Sequence, residues 1–230
     1  MLLAVSLVII VTALVFISLP AQTKFALAYR LNLWAWWGYL AHGTPMESRS
    51  GGGSAIENTA VIRAILPELL IDVNSFLDVP CGYFHWMKLV REAVPSFDSI
   101  YLGLDIIPGM VEQNAKRYPH TRFAVMAVED VKSSHDLVLM RDLLQHVSTP
   151  RQRRILEALK QTGSTWLLIN YETRCERNAH VARDFAGFAW TPLNLELPPF
   201  NFVPSKRYAS DGKDKDYGLF HLPSLTIPEF

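Results

Sequence analysis

The sequence predicts an α/β domain built on a mostly parallel sheet and carried behind an N-terminal transmembrane helix. Two observations support the sheet. Short apolar runs alternate with stretches of helix length between residues 54 and 171, the signature of βαβ units. The first two runs each end in a carboxylate, Asp78 and Asp105. A third observation supports the membrane helix: residues 2–19 carry no charge, and the first charged side chain is Lys24.

Eighteen residues rising about 1.5 Å each span roughly 27 Å, enough to cross the hydrocarbon core of a bilayer. A cleaved signal peptide fits less well. The run has no positive leader and exceeds the usual apolar core of about 7–15 residues. Lys24 and Arg30 follow the span and nothing basic precedes it, which favours a single-pass anchor with a cytoplasmic domain. A signal-anchor entering a secretory lumen gives the opposite orientation. Trp34, Trp36, Trp37 and Tyr39 then suit either a headgroup zone or a helix packed on the domain. The chain divides accordingly into an anchor (1–23), a juxtamembrane aromatic segment (24–49) and a globular α/β domain (50–230).

Composition narrows the function. Twenty-two Lys and Arg balance twenty-two Asp and Glu, so the basic excess of a nucleic-acid binder is absent. Two cysteines, Cys81 and Cys175, are too few for a disulfide framework or a CxxC metal site, although one bridge between them is possible. The histidines show no HExxH or paired-ligand spacing, so no metal is expected.

The elements follow in order. The glycines at 51–53 read as a flexible joint, and Ser54 with Glu57 as a capping box opening a helix to about residue 66. Strands are expected over 75–79, 99–107, 121–128, 136–140 and 165–171. Helices are expected over 83–94, 108–118 and 149–163, with Pro108 and Pro150 at their first turns. Residues 175–190 read as a helix, 191–204 as an extended proline-rich stretch, 210–216 as a polar loop and 217–227 as a last strand.

Ligands of parallel sheets sit beyond the carboxyl ends of the strands. There the sequence reads Leu77-Asp78-Val79-Pro80-Cys81-Gly82-Tyr83 after strand one and Gly103-Leu104-Asp105 after strand two. A tight turn lets backbone approach a ligand, and a carboxylate at the end of strand two can accept both hydroxyls of a ribose. A nicotinamide cofactor calls for GxGxxG and a P-loop for GxxxxGK[ST]; neither is present. Strand four ends in Arg141-Asp142, followed by His146. If a helical turn follows, Asp142 and His146 share one face, and the carboxylate raises the basicity of the imidazole.

In these segments the chain resembles class I S-adenosylmethionine-dependent methyltransferases, above all a branch with the motifs LDxPCGDxxWM (here Leu77–Met87) and RDxxxH (Arg141–His146). The resemblance runs from about Ser50 to Leu222 and includes Asn194-Leu195 and Pro199-Phe200. It implies a Rossmann-like fold with a seven-stranded sheet whose last strand is antiparallel, helices on both faces, and S-adenosylmethionine as cofactor. Asp78 with the Pro80, Cys81 and Gly82 turn would hold the methionine part. Asp105, followed by Ile106, would take the ribose, Met126 would lie beside the adenine, and Arg141 near the cofactor.

Two positions depart from the pattern: Tyr83 and Met126 stand where relatives carry acidic residues. The departures leave open a catalytically silent cofactor-binding or scaffold protein as the alternative to an active enzyme. For the active enzyme, His146 or Asp142 is the expected general base. Trp86, Glu172, Arg174 and Asn178 are further residues for the acceptor side, and the acceptor is a small molecule, lipid or glycan near a membrane.

Overall fold

The computed structural model describes residues 19, 21–33, 39–40, 50, 52–182, 184, 190–210 and 216–229. Residues 2–18 of the proposed membrane span and Trp34, Trp36 and Trp37 lie outside them. Among the described residues no helix is long and apolar enough to cross a membrane.

Seven strands form one sheet: β1 Phe76–Asp78, β2 Tyr101–Asp105, β3 Arg122–Val125, β4 Leu137–Met140, β5 Trp166–Tyr171, β6 Lys206–Tyr208 and β7 Asp216–His221. Their order is β3-β2-β1-β4-β5-β7-β6. The first five pair in parallel, and β7 runs antiparallel between β5 and β6. This is the Rossmann-like arrangement the resemblance implied. The chain winds outward from β1 through β2 to β3, then returns to β4 on the other side. Neighbouring crossovers part between β1 and β4, the switch point at which open α/β sheets bind ligands.

Alternation along the strands separates the two cores. Leu77, Val138, Leu167 and Ile169 face one side, where helix Thr149–Gln161 contributes Ile155, Leu156 and Leu159. Phe76, Leu137, Leu139 and Leu168 face the other, against Ile62 and Leu66 of helix Ala60–Leu69 and Met87 and Val90 of helix Met87–Ala93. In chain order the helices are α1 Ala21–Arg30, α2 Ala60–Leu69, α3 Met87–Ala93, α4 Phe97–Ile100, α5 Pro108–Arg117 and α6 Thr149–Gln161.

Several expectations need correction. The segment after Gly51 is not a simple joint leading into a capped helix. Gly52–Ser54 and Glu57–Thr59 are 3-10 turns, and the α-helix opens only at Ala60. Thr59 Oγ1 donates back to the Ala55 carbonyl at 3.2 Å, so that turn is closed from within. The helix expected over 83–94 starts at Met87, because the preceding turn holds Gly82 and Phe84 at φ of 56° and 57°. No helix forms among the described residues of 175–190, and 191–204 is broken by turns instead of running extended. The last strand ends at His221, where Pro223 enters a 3-10 turn. Cys81 and Cys175 are both free thiols.

One glycine sets the packing beneath the site. A Cβ at Gly103 would stand 2.7 Å from Tyr101 Oη and 2.8 Å from Phe123. The bare backbone leaves room for the Tyr101 ring to lie along its own strand, so that its hydroxyl donates to Asp78 Oδ2 at 2.7 Å. Gly103→Ala is therefore expected to lower unfolding free energy by about 1–3 kcal/mol through overpacking. Urea denaturation of the variant beside the wild type measures this, and an unchanged midpoint contradicts it.

Candidate cofactor site

The turn after β1 and the end of β2 are tied directly. Cys81 N–H donates to the Leu104 carbonyl at 2.8 Å, extending the pairing past the strands. Gly82 N–H donates to Asp105 Oδ2 at 3.2 Å and Ile107 N–H to Asp105 Oδ1 at 3.2 Å. Asn114 of α5 donates to the Gly82 carbonyl at 2.7 Å and fixes the turn from the other side. The φ of +56° at Gly82 favours glycine, and a Cβ there would also press on Ser50 Oγ at 3.0 Å.

A small cavity opens beside this turn at the carboxyl edge of the sheet. Val79, Pro80, Asp105, Ile106, Met126, Val128, Leu143 and Val147 line it, together with Phe25 of α1 and the ion-paired Glu129 and Arg151. Of the eight residues expected to hold a cofactor, Pro80, Asp105, Ile106 and Met126 border this space. Cys81 and Gly82 shape its turn from behind. Asp78 is buried beneath, its carboxylate engaged by Tyr101.

Arg141 is placed differently from expectation. It borders no part of the cavity; its guanidinium is buried and fully engaged. It pairs with Asp142 at 3.0 Å, donates to Tyr217 Oη at 2.9 Å and to the Gly53 carbonyl, and lies 5.7 Å from the Trp86 ring centre. The expected helical face joining Asp142 and His146 does not form. Asp142 adopts a left-handed backbone with φ of 55°, and the turn Leu144–His146 is 3-10. Asp142 instead exchanges two hydrogen bonds with Asn170 of β5. Its N–H donates to Asn170 Oδ1 at 2.9 Å, and its Oδ1 accepts from Asn170 Nδ2 at 2.7 Å.

Among the other acceptor-side residues, Glu172 and Asn178 brace the 193–198 segment. Glu172 Oε2 accepts from Leu193 N–H at 2.9 Å, and Asn178 Nδ2 donates to the Asn194 carbonyl at 2.8 Å and to Pro198 at 2.9 Å. No sequence signal pointed to Phe25 or Leu143. Phe25 lies in the segment expected beside the membrane, and Leu143 resembles any core leucine.

Burial dominates the electrostatics of the site. Desolvation raises the Asp105 carboxyl to about 6, against backbone hydrogen bonds from Gly82, Ile107 and Ile106 that lower it. Desolvation raises Asp78 to about 7, partly offset by the Tyr101 hydrogen bond. Burial likewise pushes the Cys81 thiol well up, which makes it a packing group and not a nucleophile.

The donor set fits S-adenosylmethionine. A carboxylate with both oxygens fixed by backbone N–H groups faces a slot walled by Ile106, Met126, Val128 and Leu143. It matches a ribose joined to a flat apolar base. Comparison with known proteins agrees. Residues 76–163 match the family model described as a methyltransferase domain. Magnesium protoporphyrin IX methyltransferase from Synechocystis PCC 6803, solved with bound S-adenosylmethionine, superposes with a TM-score of 0.56 at 12% identity, over 88% of this chain and 97% of that one. The N-methyltransferase NodS from Bradyrhizobium japonicum, in complex with S-adenosylhomocysteine, gives 0.51 at 13% identity, over 71% of this chain and 85% of that one. Mitomycin 7-O-methyltransferase gives 0.54 at 15% identity, over 89% of this chain and 69% of that one. No curated protein sequence matches the chain significantly.

Fold and matched domain together define the class: a methyltransferase with the class I fold. It is an S-adenosylmethionine-dependent enzyme, and S-adenosylmethionine is its cofactor.

The raised Asp105 value predicts a pH dependence. Only the ionised carboxylate accepts two hydroxyls, so affinity for S-adenosylhomocysteine is expected to fall below a midpoint near 6, approaching about tenfold per pH unit. Stability runs the other way. Both carboxyls hold protons in the folded state that the unfolded chain releases from about pH 4, so their contribution declines as pH rises through about 7. Calorimetric titrations from pH 5 to 8 (about three decades in proton activity) check the affinity, and a flat profile contradicts the assignment.

Proposed function

We propose that the enzyme methylates a hydroxyl or amine on a small molecule, lipid or glycan, at a membrane to which residues 2–19 anchor it, with the catalytic domain on the cytoplasmic side. The observation that carries the acceptor-side assignment is the turn after β4. Leu143 and Val147 both line the cavity, and His146 lies between them in sequence. His146 belongs to that turn without lining the cavity itself, and it is the imidazole we assign to receive a proton from an acceptor on the β4 side.

Bound S-adenosylmethionine supplies an electrophilic methyl group on a sulfonium. Asp105 binds the ribose hydroxyls, the turn from Pro80 to Gly82 admits the chain close to the sheet edge, and Ile106, Met126 and Leu143 flank the base. His146 acts as general base. Asp142 is a positioning residue: committed to Arg141 and Asn170, it fixes where the 143–147 turn begins. Support for the anchor comes from the uncharged run at residues 2–19 and from the apolar surface beyond α1. There Leu31, Tyr39 and Leu40 are 56%, 53% and 72% exposed, an arrangement suited to headgroup contact.

Three measurements test this reading. Asp105→Ala is expected to weaken S-adenosylhomocysteine binding about tenfold or more, since two charge-assisted hydrogen bonds are lost; wild-type affinity in that variant refutes the site. His146→Ala is expected to cut turnover on acceptors from membrane extracts about 10²–10⁴-fold and to abolish the acidic limb of its pH profile. Unchanged turnover and profile would sink the base assignment. Alkaline carbonate treatment of membranes should leave the full chain in the pellet, and its release into the supernatant contradicts the anchor.

A further inference from the structure

Helix α1 lies across the cofactor site. Gln22 Nε2 donates to the Ile106 carbonyl at 2.9 Å, and Phe25 shares the cavity lining with Met126 and Leu143. Tyr29 meets the Tyr83 ring at 5.7 Å between centres, at an angle of 56°. Burial and the Asp105 carboxylate raise the Tyr29 hydroxyl pKa well above the ordinary tyrosine value. One face of the helix thus engages the turn after β1, the end of β2 and the end of β3. Ala28 on that helix is completely buried.

With α1 in place the cavity encloses about 40 Å³. Pockets for ligands of cofactor size enclose roughly 300–1,000 Å³, so this one is too small by nearly an order of magnitude. Its fixed walls are sheet-edge backbone and core side chains such as Val128 and Val147, both buried. The wall that can leave is α1. It belongs to neither core cluster of the domain.

We propose that α1 is a displaceable plug: Phe25 fills the space where the adenine of S-adenosylmethionine binds, so cofactor binding and α1 docking exclude one another. The proposal rests on the cofactor lying against Asp105. Apparent affinity is then the intrinsic affinity reduced by the fraction of molecules with α1 released. Residues 2–19 lead almost directly into α1. The helix acts as an autoinhibitory element that takes the place of one part of the cofactor and leaves the ribose carboxylate in place.

The test uses the full chain in detergent or nanodiscs, with S-adenosylhomocysteine as probe. Phe25→Ala is expected to bind it about five- to tenfold more tightly than wild type, because docking weakens while the fixed walls are untouched. In the wild-type protein, adding the probe should speed amide hydrogen exchange across residues 22–30 and slow it at 81–82 and 105–107. Equal or weaker binding by Phe25→Ala, or greater protection of residues 22–30 on adding the probe, overturns the proposal and makes α1 part of the closed site. Should Phe25→Ala fail to fold, the wild-type exchange experiment decides alone. Failure of the underlying placement looks different: Asp105→Ala then keeps wild-type affinity, and the plug falls with it.

Discussion

A single buried cation organises the acceptor side of this domain. Arg141 ends β4 with its guanidinium out of water, and an unpaired charge there would cost several kcal/mol. The surroundings are built to prevent that. Asp142 supplies the counter-charge, Tyr217 brings in β7, Gly53 brings in the 52–54 turn, and Trp86 brings in the entry to α3. Burial lowers the arginine's pKa, but Asp142, Tyr217 and Asp78 more than compensate, and it stays charged throughout the accessible range. Four segments far apart in sequence therefore share one electrostatic requirement. Gly53 is small for the same reason, since a Cβ would come within 2.9 Å of Asp142 Oδ2.

The backbone of Asp142 follows from that requirement. To place its carboxylate on the preceding residue's guanidinium while meeting Asn170, it takes a left-handed conformation. Aspartate tolerates this region better than most residues, though at some energetic cost. The chain leaves β4 at an angle set by this geometry, and the 143–147 turn comes to border the cofactor cavity. Asp142, offered by the sequence as one of two general-base candidates, is committed to Arg141 and Asn170 and sets where the 143–147 turn begins.

The sheet and its order of motifs were legible because buried parallel strands leave a local mark: short apolar runs, each followed by a turn and a helix. Asp78, Pro80 and Asp105 could be placed at the sheet edge from that pattern, whereas Met126 came only from the family resemblance. What was illegible depends on distant partners. Lys206–Tyr208 has no apolar run and pairs only because β7 offers it an edge. The delayed start of α3 reflects Phe84, whose ring is held among Phe97, Tyr101, Tyr118 and Phe123 while its backbone is left-handed. Propensity contains no term for that cage. The role of Gly53 likewise required knowing where Asp142 would lie.

The same distinction accounts for the two places where the motif departs from its relatives. Read singly, Tyr83 and Met126 look like lost polar contacts to the cofactor. In the fold both lie on the side covered by α1: Tyr83 meets Tyr29, and Met126 shares the cavity lining with Phe25. An acidic side chain at Tyr83 would be partly desolvated by the docked helix. An aromatic ring and a thioether instead gain contact from it. These two residues favour the docked state of α1. They are better explained as adaptation to a helix that returns to the site than as decay of the site itself.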